Sequence, residues 1–130
     1  KIYGNQLEEI RVDYIDISIN SSSGYIAIDE RYTMANCMFR WNYIHGNGTG
    51  SGIGIYANRC SPLYAYSNYF SNLQSAIYAV NSDTQSHYND DTGTQPAYGL
   101  KANSSIIFTN STQPSGSTSN TLKLNGAQIY

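Results

Sequence analysis

The sequence predicts an all-β protein, a right-handed parallel β-helix of about four to five turns of roughly 22 residues each. Three observations predict it. A short alternating strand recurs at nearly constant spacing: Gly54-Ile55-Tyr56-Ala57-Asn58, Ala76-Ile77-Tyr78-Ala79-Val80, Gly99-Leu100-Lys101-Ala102-Asn103 and Thr121-Leu122-Lys123-Leu124-Asn125 follow one another at offsets of 22, 23 and 22. A second repeat runs between these strands, where Asn42-Tyr43-Ile44-His45-Gly46 resembles Asn68-Tyr69-Phe70-Ser71-Asn72. No segment sustains the 3.6-residue apolar period of a helix.

Upstream, Ile26-Ala27-Ile28-Asp29 fits the first repeat at an offset of 27, and the Gly-rich loop 46–52 is expected to absorb the five extra residues. Asp16-Ile17-Ser18-Ile19-Asn20 reads as an earlier copy of the second repeat. His87-Tyr88-Asn89-Asp90 and Phe108-Thr109-Asn110 read as degenerate later copies. At the end, Asn103-Ser104-Ser105-Ile106-Ile107-Phe108 lies over Asn125-Gly126-Ala127-Gln128-Ile129-Tyr130.

One unit of this kind cannot bury its apolar face alone. Stacked at the parallel-strand spacing of ~4.8 Å, successive units pair every strand and build a continuous core. Alternation then sends Ile28, Ile55, Ile77, Leu100 and Leu122 inward, and Asp29, Tyr56, Tyr78, Lys101 and Lys123 outward. Asn suits the turns, because it tolerates left-handed backbone and its amide can hydrogen-bond up a stack. An antiparallel sandwich would carry many hairpin dipeptides, but Asn-Gly occurs only at Asn47-Gly48 and Asn125-Gly126. The chain is read as a single β-helix segment over 1–130, with repeats roughly 1–29, 30–57, 58–79, 80–102 and 103–130. Neither end resembles a cap, so a longer helix is expected around it or, alternatively, partner subunits that seal its ends.

Composition narrows the partners. Charged residues make up 12% of the chain and the formal charge is −2, too little field for nucleic acid. No apolar run reaches the 18 residues that a membrane helix needs. Neither nucleic acid nor a membrane is an expected partner. Thirteen Tyr stand against three Phe and one Trp. Tyr serves half-exposed strands, and its ring also stacks on sugars while its hydroxyl hydrogen-bonds.

Few residues carry chemistry. Asp29, Glu30 and Arg31 form the one place where carboxylates and a base are dense, and are the candidate catalytic residues. Asp13 or Asp16 could meet them across one turn, and a solvated turn is the competing reading. A glycosidase would need two carboxylates roughly 5–9.5 Å apart. Tyr56, Tyr78, Trp41 and Lys101 are the candidate substrate-binding residues. Cys37 and Cys60, 23 residues apart, are expected near the same place in neighbouring turns, as free thiols or, alternatively, a disulfide. No CxxC or Cys/His spacing suggests zinc, and no cofactor is implied by any motif. Asp91-Thr92-Gly93 is one copy of a triplet whose protease chemistry needs two. The loop 46–54 lacks the GxGxxG spacing of a phosphate cradle. The sequons at Asn20, Asn47, Asn103 and Asn110 are chance matches in a chain rich in Asn, Ser and Thr.

The stacked units resemble the pectate-lyase-like β-helix superfamily. More narrowly, Gly99 to Tyr130, with Thr112-Gln113-Pro114-Ser115-Gly116-Ser117-Thr118-Ser119-Asn120 between two strands, is similar to the last turns of bacteriophage tailspikes and tail fibres. That resemblance implies a homotrimeric virion tail protein that binds, and often cleaves, a host surface polysaccharide or teichoic acid. A cellular polysaccharide lyase or hydrolase, secreted or at the cell surface, is the alternative, and in lyases of this fold carboxylates hold calcium beside the base. A structural shaft is the third reading.

The strand facing is directly testable. Ile77→Asp would bury an unpaired carboxylate and is expected to cost several kcal/mol, whereas the outward change Tyr78→Ser is expected to cost far less. Equal thermal shifts for the two variants would reverse the facing.

Overall fold

A computed structural model describes residues 2–5 (backbone), 10–19, 25–32, 36–46, 52–109 and 111–130. Asn20, Asn47 and Asn110, the loop residues 47–51, and Glu8 and Glu9 lie outside the described residues. The first turn is β1 (Ile2–Asn5), β2 (Ile10–Asp13) and β3 (Asp16–Ile19). The second is β4 (Ile26–Arg31), β5 (Cys37–Arg40) and β6 (Tyr43–Gly46). The third is β7 (Ile53–Asn58), β8 (Leu63–Tyr66) and β9 (Tyr69–Ser71), and the fourth β10 (Ser75–Val80), β11 (Asp83–His87) and β12 (Asp90–Asp91). β13 (Tyr98–Asn103) and β14 (Ile106–Phe108) follow, then β15 (Ser119–Leu124) and β16 (Gln128–Ile129). The described residues contain no helix.

Each of the first four turns contributes one strand to each of three parallel sheets, and the later strands extend two of them. Sheet A runs β1-β4-β7-β10-β13-β15, sheet B β2-β5-β8-β11-β14-β16, and sheet C β3-β6-β9-β12. This is a parallel β-solenoid of about five turns. Every in-register pair joins residues one turn apart in sequence, such as Ile28↔Ile55, Ile55↔Ile77 and Ile77↔Leu100. The second repeat aligns as read, with Tyr43↔Tyr69 and Ile44↔Phe70.

The core is three sets of stacked side chains. Sheet A supplies Ile28, Ile55, Ile77 and Leu100, all buried. Sheet B supplies Cys37 and Leu63 in one column and Val12, Phe39 and Ala65 in another. Sheet C adds Ile44 and Phe70. Each large aliphatic or aromatic side chain contributes about 1.5–3 kcal/mol when removed from water. The Ile77 facing is therefore as expected, and Tyr78 lies outward but half-buried.

Two details of the expected register change. Leu100 pairs with Thr121, not Leu122, so Leu122 stacks outward on Lys101. Lys123 takes the position above the inward Ala102 but is exposed at this last turn, and its ammonium reaches the Ile129 carbonyl at 3.4 Å. The cause is the last corner. Asn125 and Gly126 both have positive φ (51° and 75°), and the Ala127 N–H donates to the Leu124 carbonyl at 3.1 Å. That two-residue turn is one residue longer than the corners before it, so the strand ahead of it slides back by one. The five extra residues of the second turn are also divided. Between His45 and Ile53 there are eight steps against four between their partners Ser71 and Ser75, and between Arg31 and Cys37 six against five.

The cysteines do not share a position. Cys37 lies in β5 and pairs with Leu63 of the next turn. Cys60 lies in the corner after β7, where its thiol donates to the Glu30 carbonyl at 3.3 Å; the two buried cysteines form no disulfide with each other. The Cys60 N–H donates to Ser82 Oγ at 3.1 Å, and the Ser82 N–H to Ser105 Oγ at 3.0 Å, a ladder up the corner between sheets A and B.

The corner between sheets B and C holds a longer ladder. Asn42, Asn68 and Asn89 stack in the core, each fully buried. Asn42 Nδ2 donates to Asn68 Oδ1 at 2.9 Å, and Asn68 Nδ2 to Asn89 Oδ1 at 3.0 Å. Each amide also donates to a carbonyl one turn below: Val12, Phe39 and Ala65. Gln113 is the next rung, donating to the Ser86 carbonyl at 2.7 Å and accepting from the Ser86 hydroxyl. Ser86 joins the rungs, since Asn89 Nδ2 donates to its Oγ at 2.9 Å. Gln113 thereby fastens segment 111–118, which is packed close to the sheet: a Cβ on Gly99 would lie 1.9 Å from the Pro114 carbonyl oxygen. Asn68→Leu removes the middle rung: the Asn42 N–H and Nδ2 lose their shared acceptor and the Phe39 carbonyl its side-chain donor, while Asn89 Oδ1 keeps only the backbone N–H of residue 68. It should cost roughly 3 kcal/mol or more, against about 0.5 kcal/mol for the exposed Asn81→Ser, as read by chemical denaturation.

Candidate functional site

The corner between sheets B and C turns through one residue with left-handed backbone in each turn: Tyr14 (φ 59°), Trp41 (54°), Ser67 (51°) and Tyr88 (53°). Such a conformation costs a non-glycine residue about 1 kcal/mol or more. It recurs because the buried Asn that follows in three turns anchors the chain, and because each N–H bonds the next turn. Tyr14 N–H donates to the Arg40 carbonyl, Trp41 N–H to Tyr66, and Ser67 N–H to His87, at 3.0–3.1 Å. The left-handed turn throws these four side chains outward as one column.

The lower half of the column is filled. The Tyr14 and Trp41 rings lie parallel, centroids 4.9 Å apart with an interplanar angle of 11°. The Arg40 guanidinium lies 4.6 Å from the Trp41 ring and is itself held by Asp13, through Nε at 3.1 Å and Nη2 at 2.6 Å. That double hydrogen bond, ahead of the opposing effect of burial, holds the Asp13 carboxyl below its ordinary range and raises the Arg40 guanidinium further above neutrality. The upper half is open. Ser67 is small, and Tyr88 above it is 64% exposed. Trp41 and Tyr88 sit two strand spacings apart, about 9.6 Å, with only a hydroxymethyl between. Beside the column, sheet C presents Tyr43 and Tyr69, in register and exposed.

The other sequence candidates lie on sheet A. Tyr56 and Tyr78 do stack outward, but edge to face, with centroids 5.5 Å apart at 62°. Their rings are already engaged: the Arg31 guanidinium lies 5.3 Å from Tyr56, and Lys101 Nζ 4.3 Å from Tyr78. Burial raises the Tyr56 hydroxyl above its ordinary value. Strand alternation divides the Asp29-Glu30-Arg31 trio. Arg31 grips Asp29 through Nε at 2.6 Å and Nη2 at 3.0 Å, whereas Glu30 is buried in the inward column of Ala57, Ala79 and Ala102. The three therefore share no outer groove. Asp13 meets Arg40, and Asp16 meets His45 Nε2 at 2.8 Å, so the expected second carboxylate goes to a base in each case. Asp91 pairs in register with the inward Phe70 and accepts from the Ser115 N–H at 2.9 Å. Among the described residues no three His, Cys, Asp or Glu converge as metal ligands.

Tyr14, Ser67 and Tyr88 escaped the sequence reading. For Ser67 and Tyr88 a signal was available: the residue just before each stacked Asn faces outward at the corner. Trp41 belongs to that corner and not to a strand.

Fold and site together define a parallel β-solenoid with an aromatic corner. No protein-family model, no curated protein and no solved structure matches the chain.

The Asp13–Arg40 pair gives this corner a pH signature. The carboxyl is more acidic folded than unfolded, so it stabilises above the unfolded value of about 3.9 and loses that effect as pH falls through its lowered folded value. Asp13→Asn is expected to melt below the wild type at pH 7 and to match it near pH 2. A melting difference that stays constant across this range would remove the pair from the acid response.

Proposed function

We propose that the chain recognises a carbohydrate polymer along the corner between sheets B and C. The single observation that carries this reading is the slot over Ser67, between Trp41 and Tyr88. Two aromatic side chains on backbone positions about 9.6 Å apart leave room for one sugar ring to stack between them, and the stacked Tyr14 and the neighbouring Tyr43 and Tyr69 extend the surface along the solenoid axis. The resemblance of residues 99–130 to tailspike and tail-fibre turns fits the same reading: a segment of a homotrimeric phage tail protein that engages a host surface polysaccharide or teichoic acid. Recognition is favoured over hydrolysis on this face. Its two outward carboxylates in one sheet C column, Asp16 and Asp90, are three strand spacings apart, about 14 Å, beyond the separation that a two-carboxylate glycosidase uses. In this reading the sheet A column of Tyr56, Tyr78 and Lys101 belongs to the shaft or to the seam between subunits, because its ring faces are occupied by its own cations.

The test fills the slot without disturbing the backbone. Tyr already occupies the left-handed position at Tyr14 and Tyr88, so Ser67→Tyr continues the column and should fold normally. Binding to bacterial wall polysaccharides and teichoic acids, measured by calorimetry, is expected to be lost in Ser67→Tyr and in Trp41→Asn and kept in Tyr78→Ala. Unchanged binding by Ser67→Tyr would remove the corner from recognition.

A further inference from the structure

A second concave site lies at the opposite edge of sheet B, where the corner between sheets A and B opens into a cavity of about 490 Å³. That volume falls in the range of small-ligand sites. Asn81, Asp83, Ser104, Ile106, Gly126 and Gln128 line it, together with two serines of the corner ladder. Its chemistry is selective. No Lys, Arg or His lines it, so nothing there would neutralise a phosphate or carboxylate. Asp83 carries a negative charge, and its Oδ2 accepts from the Ser61 hydroxyl at 3.0 Å. Oδ1 remains to accept. Among the described residues the Asn81 side-chain amide has no hydrogen-bond partner, while its backbone N–H donates to the Asn103 carbonyl. Gln128 Oε1 accepts from the Tyr130 hydroxyl, which leaves its amide nitrogen as a donor. Ile106 supplies the one large apolar side chain. Gly126 keeps the wall open: its φ is +75°, and a Cβ built there would meet nothing within 4 Å.

We infer that this cavity binds an uncharged sugar ring. The Asp83 carboxylate accepts hydroxyl protons, the Asn81 and Gln128 amides donate to hydroxyl oxygens, and Ile106 covers the C–H face. Stacked polar corners repeat along the axis as a polymer's sugars do, and the site excludes anionic rings by the uncompensated charge of Asp83. The inference rests on the carbohydrate reading above and names the class of sugar at a separate place.

The experiment titrates the isotope-labelled chain with neutral hexose and N-acetylhexosamine oligosaccharides of four to six rings, and with hexuronate oligomers of equal length, following backbone amide resonances. The expected result is that a neutral oligomer shifts Asn81, Asp83, Ser104 and Gly126, and that Asp83→Asn weakens this binding about tenfold with no change in melting temperature. Gly126→Asn, compatible with the left-handed backbone, should narrow the mouth and weaken it likewise. Shifts confined to Trp41, Ser67 and Tyr88 would overturn this inference and leave the corner reading standing. Shifts at neither place would overturn both. Hexuronate binding in the cavity as tight as neutral binding would overturn the assignment of an uncharged ligand.

Discussion

The buried amide ladder of Asn42, Asn68, Asn89 and Gln113 sets the register on which the rest of the structure depends. A parallel stack has no hairpin to hold its strands in phase, and a slip by one residue exchanges inside for outside along a whole strand. Aliphatic columns resist such a slip only by the difference between buried and exposed area. A buried amide is stricter, because an unmade hydrogen bond in the core costs about 1–3 kcal/mol at each stranded group. Asn42 and Asn68 each bond the rung above and a carbonyl below, and Asn89 reaches Gln113 through Ser86, so the ladder transmits phase from one turn to the next.

Register, once set, decides what the surface can offer. The left-handed corner residue, which precedes a stacked Asn in three turns and Ile15 in the first, is forced outward, so the corner displays whatever stands at that position. With Tyr, Trp, Ser and Tyr in succession, stacking in the lower part and a gap in the upper part follow directly. The sheet A column shows the contrary case. There the strand places Tyr56 over Tyr78, but Arg31 and Lys101 occupy neighbouring outward positions and settle on the rings. Cation–π contacts that hold a surface together also withdraw its ring faces from a ligand.

The two ladders differ in what they do for the chain. The Cys60-Ser82-Ser105 ladder lies at the more open corner and joins N–H groups to small side chains, so the outer wall beside it is built of short polar groups and a cavity forms. The amide ladder lies deeper, and the corner outside it carries large rings. One solenoid thus presents two chemically different edges, one aromatic and one that carries Arg59 over Tyr32 in its lower part and hydroxyls and amides above, separated by the width of sheet B.

How much was legible beforehand follows from the range of each interaction. The recurrence of Ile55, Ile77 and Leu100 at 22 and 23 residues, and of Asn42 and Asn68 at 26, contains the fold, because stacking makes equivalent residues neighbours and equivalent environments select the same residue types. Strand facing was legible for the same reason, since alternation is local. The division of Asp29, Glu30 and Arg31 was implicit in that alternation, although clustering in sequence suggested otherwise. What the chain's order could not reveal is which outward side chains find partners across turns. That Arg31 lies over Tyr56, that Arg40 braces Trp41, and that Gln113 takes the rung above Asn89 depend on corners of unequal length. The one-residue displacement of Leu122 is the plainest instance: the residue types fit either register, and the two-residue Asn125-Gly126 turn chose between them through backbone geometry alone.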